Sequence, residues 1–365
     1  HGFKGRQDII YVRGDDWEEF PGRQVLEDEE VPIHFQKYSA WVSSTLLRHE
    51  VQKQATQVYR ALVDEAVTDE QVIPLLEDAI FAPSDAVMRL VYDWLYHEGR
   101  QDLFADRFVR LSRLVGTLWS RPESQHLVAR FVEIMGVDTS EITRPIQDFG
   151  SLNEFFYRPV DLTQRPFEEM GGPKPGTVTS PGDGLVLVYS NAETAKRCFL
   201  KGKRFNLANL LDHNSEQISL VEGGPVVVVR LQPHNIHRFY APLDSTMGEP
   251  VLAGTHLHTV KSHIVGRDDV NVFTDNIRQI VTFRNSTLGT YILVAIGAPL
   301  IGAVRWSVEP NCSVGNGEEL GYFEYGGSTV LLLFPPQPSI DWKFPIDRGH
   351  EDELEVQIHQ TIGTI

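Results

Sequence analysis

Two histidines, an arginine and a tyrosine stand close together in residues 233–242, which read Pro-His-Asn-Ile-His-Arg-Phe-Tyr-Ala-Pro. His234 and His237 are suited to general acid–base chemistry, because histidine titrates closer to neutral pH than any other side chain. Arg238 adds a cation and Tyr240 a phenol. The segment follows an apolar run typical of a strand, and loops held by rigid strands often carry catalytic groups. We therefore take it as a candidate catalytic site.

A serine preceded by two glycines stands later in the chain. Residues 326–329 read Gly-Gly-Ser-Thr, and the apolar run Val330–Phe334 follows directly. The peptide bond between Gly327 and Ser328 is sterically open, which suits an attack of the serine oxygen on the preceding carbonyl. An ordinary tight hairpin is the alternative interpretation of the same residues.

A third candidate is the turn-like segment 180–184, Ser-Pro-Gly-Asp-Gly, which contributes Asp183. Aspartate and glycine favour turns because they accept left-handed backbone and local hydrogen bonds. On its own this segment indicates no more than a structural turn.

These candidates must be positioned by two kinds of elements. Helical periodicity extends from about Tyr38 to Met135, whereas short β-rich runs follow Thr177. The pattern predicts an α+β fold: a helical N-terminal region, then a mostly antiparallel β domain with a barrel-sandwich-like C-terminal part. The expected boundaries are an acidic flexible arm over 1–35, a helical region over 36–148, a Pro/Gly-rich junction over 149–176 and the β catalytic domain over 177–365.

Composition excludes several classes of function. The net charge of −17 makes the chain a poor binder of nucleic acid, since phosphate recognition depends on clustered cations. The sequence contains no run of 18 apolar residues, so it predicts no membrane-spanning helix. The two cysteines, Cys198 and Cys312, show no zinc-binding spacing, and no metal is expected. We expect a soluble, cytoplasmic protein that binds a small molecule.

Five segments, taken in order, resemble the phosphatidylserine decarboxylase family, and their order and spacing identify the chain as a member. The resemblance extends from about Leu103 to Phe334. The matching segments are 151–158 with Arg165-Pro166, 180–184, 230–238, 317–323 and 326–329.

The resemblance implies a proenzyme that cuts itself. In the family, the serine of the Gly-Ser-Thr motif undergoes an N→O acyl shift and β-elimination, and becomes an N-terminal pyruvoyl group. That carbonyl forms a Schiff base with the substrate amine and acts as the electron sink for loss of CO₂. By this similarity Ser328 is the pyruvoyl precursor, Gly327–Ser328 is the cleavage site and Asp183 belongs to the self-cleavage relay. The matching residue His237 is associated with protonation during decarboxylation.

The sequence departs from the family pattern at two positions. The relay histidine, second in the family's His-Arg-x-His, is replaced by Tyr240, whose phenol is a poor base at neutral pH. Lys261 stands where the family usually has asparagine, in a region that shapes the pocket. The expected catalytic residues are Ser328, Asp183, His237 and Tyr240, and the pocket candidates are His234, Arg238, Gly326, Thr329 and Lys261.

Three functions stay open at this point. The first is a pyruvoyl-dependent decarboxylase of an amino acid or aminophospholipid, with a soluble substrate slightly favoured by the acidic charge. The second is an unprocessed family member that lacks the pyruvoyl group and serves other biosynthetic chemistry or binding. The third, a lipoyl-like carrier, is weakened because the loop Asn311–Glu319 lacks lysine. Family members are often dimers, so a homodimer is also open.

Overall fold

The computed structural model describes residues 9–13, 30–34, 45–64, 66–80, 86–97, 101–168, 172–200, 205–258, 265, 270–298, 303–324 and 328–365. The chain divides into two units, residues 1–111 and residues 112–365. None of the helices within the described ranges is long and apolar enough to span a bilayer.

Helices form most of the first unit. Its elements are the antiparallel strands β1 (Ile9–Arg13) and β2 (Glu30–His34), the helices α1 (Thr45–Val63), α2 (Asp69–Ile80) and α3 (Ala86–His97), and the beginning of α4 (Gln101–Trp119). The apolar side chains Ala55, Val58 and Leu62 recur at helical spacing and are buried on one face of α1. On the same helix, Tyr59 meets Trp94 of α3 edge to face, with ring centroids 5.7 Å apart.

Strands dominate the second unit. They are β3 (Thr177–Thr179), β4 (Gly184–Tyr189), β5 (Val226–Leu231), β6 (Arg238–Tyr240), β7 (Ser245–Met247), β8 (Val251–Ala253), β9 (Arg278–Asn285), β10 (Gly289–Ile296), β11 (Val304–Trp306), β12 (Ser313–Val314), β13 (Glu319–Phe323), β14 (Ser328–Leu333), β15 (Asp341–Trp342), β16 (Leu354–Val356) and β17 (Thr361–Thr364). In this part of the chain the largest sheet has the order β12-β7-β9-β10-β14-β5-β4-β16, with β8 paired to β9. Smaller sheets have the orders β11-β13-β6 and β15-β17-β3.

The centre of the largest sheet holds the hydrophobic core and fixes the start of β14. Its strands β10, β14 and β5 are nearly unbroken apolar runs, as expected of strands buried on both faces. All six residues of β14 are buried. The antiparallel register sets Val330 opposite Val229 and therefore Ser328 opposite Leu231, the last residue of β5.

Short helices precede or connect the strands of this unit. They are α5 (Leu127–Met135), α6 (Leu152–Phe156), α7 (Ala192–Cys198), α8 (Leu207–Leu210), α9 (Ser215–Val221) and α10 (Val272–Asp275). Four of them are capped at the N-terminus by a side-chain oxygen that accepts a hydrogen bond from a backbone N–H of the first turn. The capping residues are Ser151, Asn191, Asn206 and Asn214.

The predicted α+β fold is confirmed by this order of helices and antiparallel strands. The barrel-sandwich-like C-terminal part takes the form of open sheets, with no closed barrel among the described strands. The stretch expected as an acidic arm contains β1 and β2. The division into four segments inferred from the sequence stays a prediction.

Candidate active site

Ser328 and His237 form a buried pair at the end of the central strands. Ser328 begins β14, and the turn that follows β5 leads to His237. This turn is held by Asn235, whose side chain accepts a hydrogen bond from the Gln232 N–H at 2.7 Å. The Nδ1 atom of His237 lies 2.8 Å from the Oγ atom of Ser328, and both residues are fully buried. A proton can therefore pass directly from hydroxyl to imidazole.

The surroundings of His237 keep its imidazole neutral. The Phe156 ring at the end of α6 stacks on it, with centroids 3.7 Å apart. Burial lowers the pKa of His237 well below its ordinary value, and the positive charge of Arg158 lowers it further. The Nε2 atom is buried and makes no hydrogen bond with any described residue. When Nδ1 accepts the serine proton, Nε2 carries the ring proton, and the backbone oxygens of Gln232 and Pro233 favour that protonated form.

Asp183 is engaged away from the serine–histidine pair. One of its oxygens is ion-paired with Arg165, and the other accepts a hydrogen bond from the Ile358 N–H at 3.0 Å. Arg165 also pairs with Glu141. Burial lowers the pKa of the Arg165 guanidinium, but the hydrogen bonds with Glu141 and Asp183 outweigh burial, and the pKa is raised. Within the described ranges, no hydrogen bond joins Asp183 to His237 or Ser328.

Tyr240 lies in apolar surroundings. It packs with Ile236 and Ile358 in a small buried cluster, and its ring approaches that of His359 edge to face at 6.4 Å. Burial and the Glu319 carboxylate raise the pKa of the phenol, so it stays protonated at neutral pH. The described residues include no hydrogen bond between Tyr240 and the serine–histidine pair. The imidazole that contacts Ser328 therefore belongs to His237, which matches the first histidine of the family's His-Arg-x-His motif.

A cavity of about 200 Å³ adjoins the turn that leads to His237. Asp183 and His234 line it, together with Arg158 and Arg165. Burial lowers the pKa of His234, which favours its neutral form. Both arginines belong to the segment 151–166, which matched the family, yet their side chains were given no role by sequence reasoning. The signal that the sequence offered for a role was their position, because Arg158 and Arg165 follow the end of α6 by two and nine residues.

The remaining candidates are dispersed. Arg238 is ion-paired with Glu319 at 2.7 Å and lies over the neighbouring rings of Tyr157 and Tyr322, outside the lining of the cavity. Thr329 is buried in β14, and its hydroxyl has no described partner. Gly326, Gly327 and Lys261 lie outside the described residues. In the part of the chain that is described, no cluster of three His, Cys, Asp or Glu side chains could hold a metal ion.

Comparison with known proteins adds a family to this geometry. The family model for phosphatidylserine decarboxylase matches residues 152–364. A phosphatidylserine decarboxylase proenzyme of Fusobacterium nucleatum is 34% identical over 249 residues, which cover 68% of this chain and 81% of that protein. A namesake from Chlamydia muridarum is 31% identical over 256 residues, covering 69% of this chain and 82% of its own length.

A longer relative shows the same similarity. Phosphatidylserine decarboxylase proenzyme 2 of Komagataella phaffii is 30% identical over 257 residues, which are 70% of this chain but only 25% of that protein. The stretch matched by the family model, residues 152–364, holds the buried serine, its histidine and the aspartate. By sequence and by these relatives, the chain belongs to the phosphatidylserine decarboxylase family.

Proposed function

We propose that the chain is a self-processing decarboxylase in which Ser328 becomes a pyruvoyl group and His237 supplies the base for its formation. The single observation that carries the proposal is the contact of 2.8 Å between His237 Nδ1 and Ser328 Oγ in a fully buried site. The residues fit the group, because a serine that is to be converted needs a neutral base at its hydroxyl and no competing water.

In the first step, the Ser328 hydroxyl gives its proton to His237 Nδ1, and Oγ attacks the carbonyl carbon of Gly327. An ester forms, the Gly327–Ser328 amide C–N bond breaks, and the released nitrogen takes up a proton. The depressed pKa of His237 makes the imidazole neutral at pH 7 and so able to accept. The Tyr240 phenol, with a raised pKa, cannot serve in that role.

In the second step, the α-proton of residue 328 is removed and its Cβ–Oγ bond breaks, so that Oγ leaves as part of the Gly327 carboxylate and residue 328 becomes a dehydroalanine. A proton added to Cβ turns this enamine into an imine, water adds at Cα and ammonia leaves, so that residue 328 gains a ketone carbonyl at Cα. When formed, this pyruvoyl carbonyl supplies the electron sink for loss of CO₂ from an amine-bearing acid. His237 stands beside position 328 and can hold and return a proton there.

The substrate class we propose is an amino acid or an aminophospholipid, because both combine a primary amine with a carboxylate on one carbon. Release of CO₂ from carboxyl-labelled phosphatidylserine vesicles and from free amino acids tests the proposal. We expect turnover by the wild type and none by Ser328→Ala, whereas Ser313→Ala, an exposed serine of β12, keeps it. Activity of Ser328→Ala within about tenfold of wild type would contradict the proposal.

A second candidate is an unprocessed protein of the same fold that binds or converts a metabolite without the pyruvoyl group. It is favoured by one observation: no carboxylate contacts the His237 ring in the described structure, since Asp183 is bound to Arg165. A carboxylate that orients the histidine of such a pair is worth about 10⁴-fold in rate. Cleavage is therefore expected to be slow, and its complete absence would select this candidate.

A further inference from the structure

Arg158 is a buried cation whose guanidinium is only partly used. The residue is 3% exposed and comes two positions after α6. Its Nη2 donates a hydrogen bond to the His234 carbonyl at 2.6 Å, and the group lies over the Phe155 ring at 5.0 Å. The Nε and Nη1 atoms are buried and find no acceptor among the described residues. Buried donors are ordinarily satisfied, so these two nitrogens point to a missing acceptor.

Neighbouring arginines of this unit are paired with carboxylates, whereas Arg158 is not. The pairs are Arg165 with Asp183 and Glu141, Arg238 with Glu319, and Arg144 with Glu154. Among the described residues no carboxylate oxygen lies within 4 Å of Arg158. A buried charge is costly unless it is paired. An anionic ligand would therefore complete a site that the protein leaves open.

The cavity of about 200 Å³ supplies the space for such a ligand, because Arg158 forms part of its wall. This volume is far above the roughly 10–15 Å³ that one water needs. Two of the carboxylates in the lining, Glu141 and Asp183, share the single positive charge of Arg165, and Asp183 also favours the charged form of Arg158 without contacting it. The other two, Asp138 and Glu355, are exposed, so solvent screens them more than it screens the buried guanidinium.

We propose that Arg158 binds an oxyanionic group of the substrate, a carboxylate or a phosphate, within this cavity. The proposal rests on the proposed function in taking the ligand to be the substrate converted at Ser328. Gln232 and residues 234–236 line the same cavity and His237 follows them in the chain, so a bound anion would be held next to the segment that ends at His237. Arginine suits both anions through charge-assisted hydrogen bonds.

The two sources of the anion differ in what happens to its charge. A carboxylate that leaves as CO₂ loses its charge, so an arginine bound to it would stabilise the ground state more than the transition state. A phosphate keeps its charge throughout and can be held without that penalty. Phosphoethanolamine, which has phosphate and no carboxylate, and L-serine, which has carboxylate and no phosphate, separate the sources.

The experiment is calorimetric titration of both compounds into full-length Ser328→Ala protein, which cannot form the pyruvoyl group, with and without Arg158→Gln. We expect at least one compound to bind and to lose at least tenfold in affinity with Arg158→Gln. The matched control is Arg144→Gln, since Arg144 also lies over a phenylalanine ring, that of Phe149 at 4.1 Å. It should change the affinity by less than twofold.

The compound that loses affinity identifies the anion. Unchanged affinities in Arg158→Gln, or no binding of either compound while Arg158 is intact, would overturn the proposal. If Arg158→Gln does not fold, Arg158→Lys keeps the charge but loses the planar donor set, and at least a threefold loss is expected while unchanged affinity would overturn the proposal. Because binding is measured without the pyruvoyl group, failed cleavage of the wild type would contradict the proposed function and leave this result intact.

Discussion

At the scale of single residues, the proposed mechanism assigns proton transfer from Ser328 to one imidazole, that of His237. We expect His237→Asn to slow cleavage of the Gly327–Ser328 bond by about 10²–10⁴-fold, the usual contribution of a positioned base. Asparagine can replace the hydrogen bond of Nδ1 but cannot take up a proton. Tyr240→Phe should stay within about threefold of wild type, because the phenol makes no described contact with the serine. Gel densitometry of freshly purified protein during incubation measures both rates.

The opposite result would assign the base differently. Slow cleavage in Tyr240→Phe with normal cleavage in His237→Asn would place the base at the relay position of the family, in spite of the protonated phenol. His237→Gln is the companion variant, because its amide is one bond longer and mimics Nε2 in place of Nδ1.

The pKa of His237 predicts how cleavage depends on pH. Burial, Arg158 and His234 lower this pKa, while the nearby carbonyl oxygens of Gln232 and Pro233 raise it; the balance lies well below the ordinary value of 6.5. The base is active when neutral, so its activity is lost only as the pH falls through the depressed pKa. We expect a rate that stays level from pH 8 to below pH 6.5. A rate that halves near pH 6.5 would show an unperturbed histidine.

At the scale of elements, the site depends on close packing between neighbouring strands. Gly184 begins β4 next to Asp183, and a Cβ atom at this position would lie 2.5 Å from the Arg230 carbonyl oxygen of β5. We expect Gly184→Ala to lower the free energy of unfolding by about 1–3 kcal/mol through overpacking and to slow cleavage. Urea unfolding measures the first effect. Gly349→Ala, where a Cβ meets no atom within 4 Å, should change neither.

Much of this arrangement could be predicted from local sequence. The apolar run before residue 233 is predicted to be a strand, and Val226–Leu231 forms one, because its β-branched side chains fit a buried central strand. The ion pair between Arg165 and Asp183 could not be predicted, since it joins segments by tertiary packing. The same holds for the choice of His237 over Tyr240 as the neighbour of Ser328, which depends on where the turn after β5 places each ring.

At the scale of the whole molecule, cleavage would divide the chain within a continuous sheet. The C-terminal fragment would keep β14, which is buried throughout and paired with β10 on one side and β5 on the other. We expect the two fragments to elute together in gel filtration under native conditions and to separate only in denaturant. Release of the small fragment without denaturant would show that β14 leaves the sheet after cleavage.

The chemistry assigned to Ser328 is tested most directly by the intact mass of the purified chain under denaturing conditions. The account predicts two components, one ending at Gly327 and one beginning at position 328, the latter lighter by one ammonia than a fragment that starts with serine. Incubation should convert any remaining full-length chain. A single mass of the uncut 365-residue chain that persists on prolonged incubation would contradict the account.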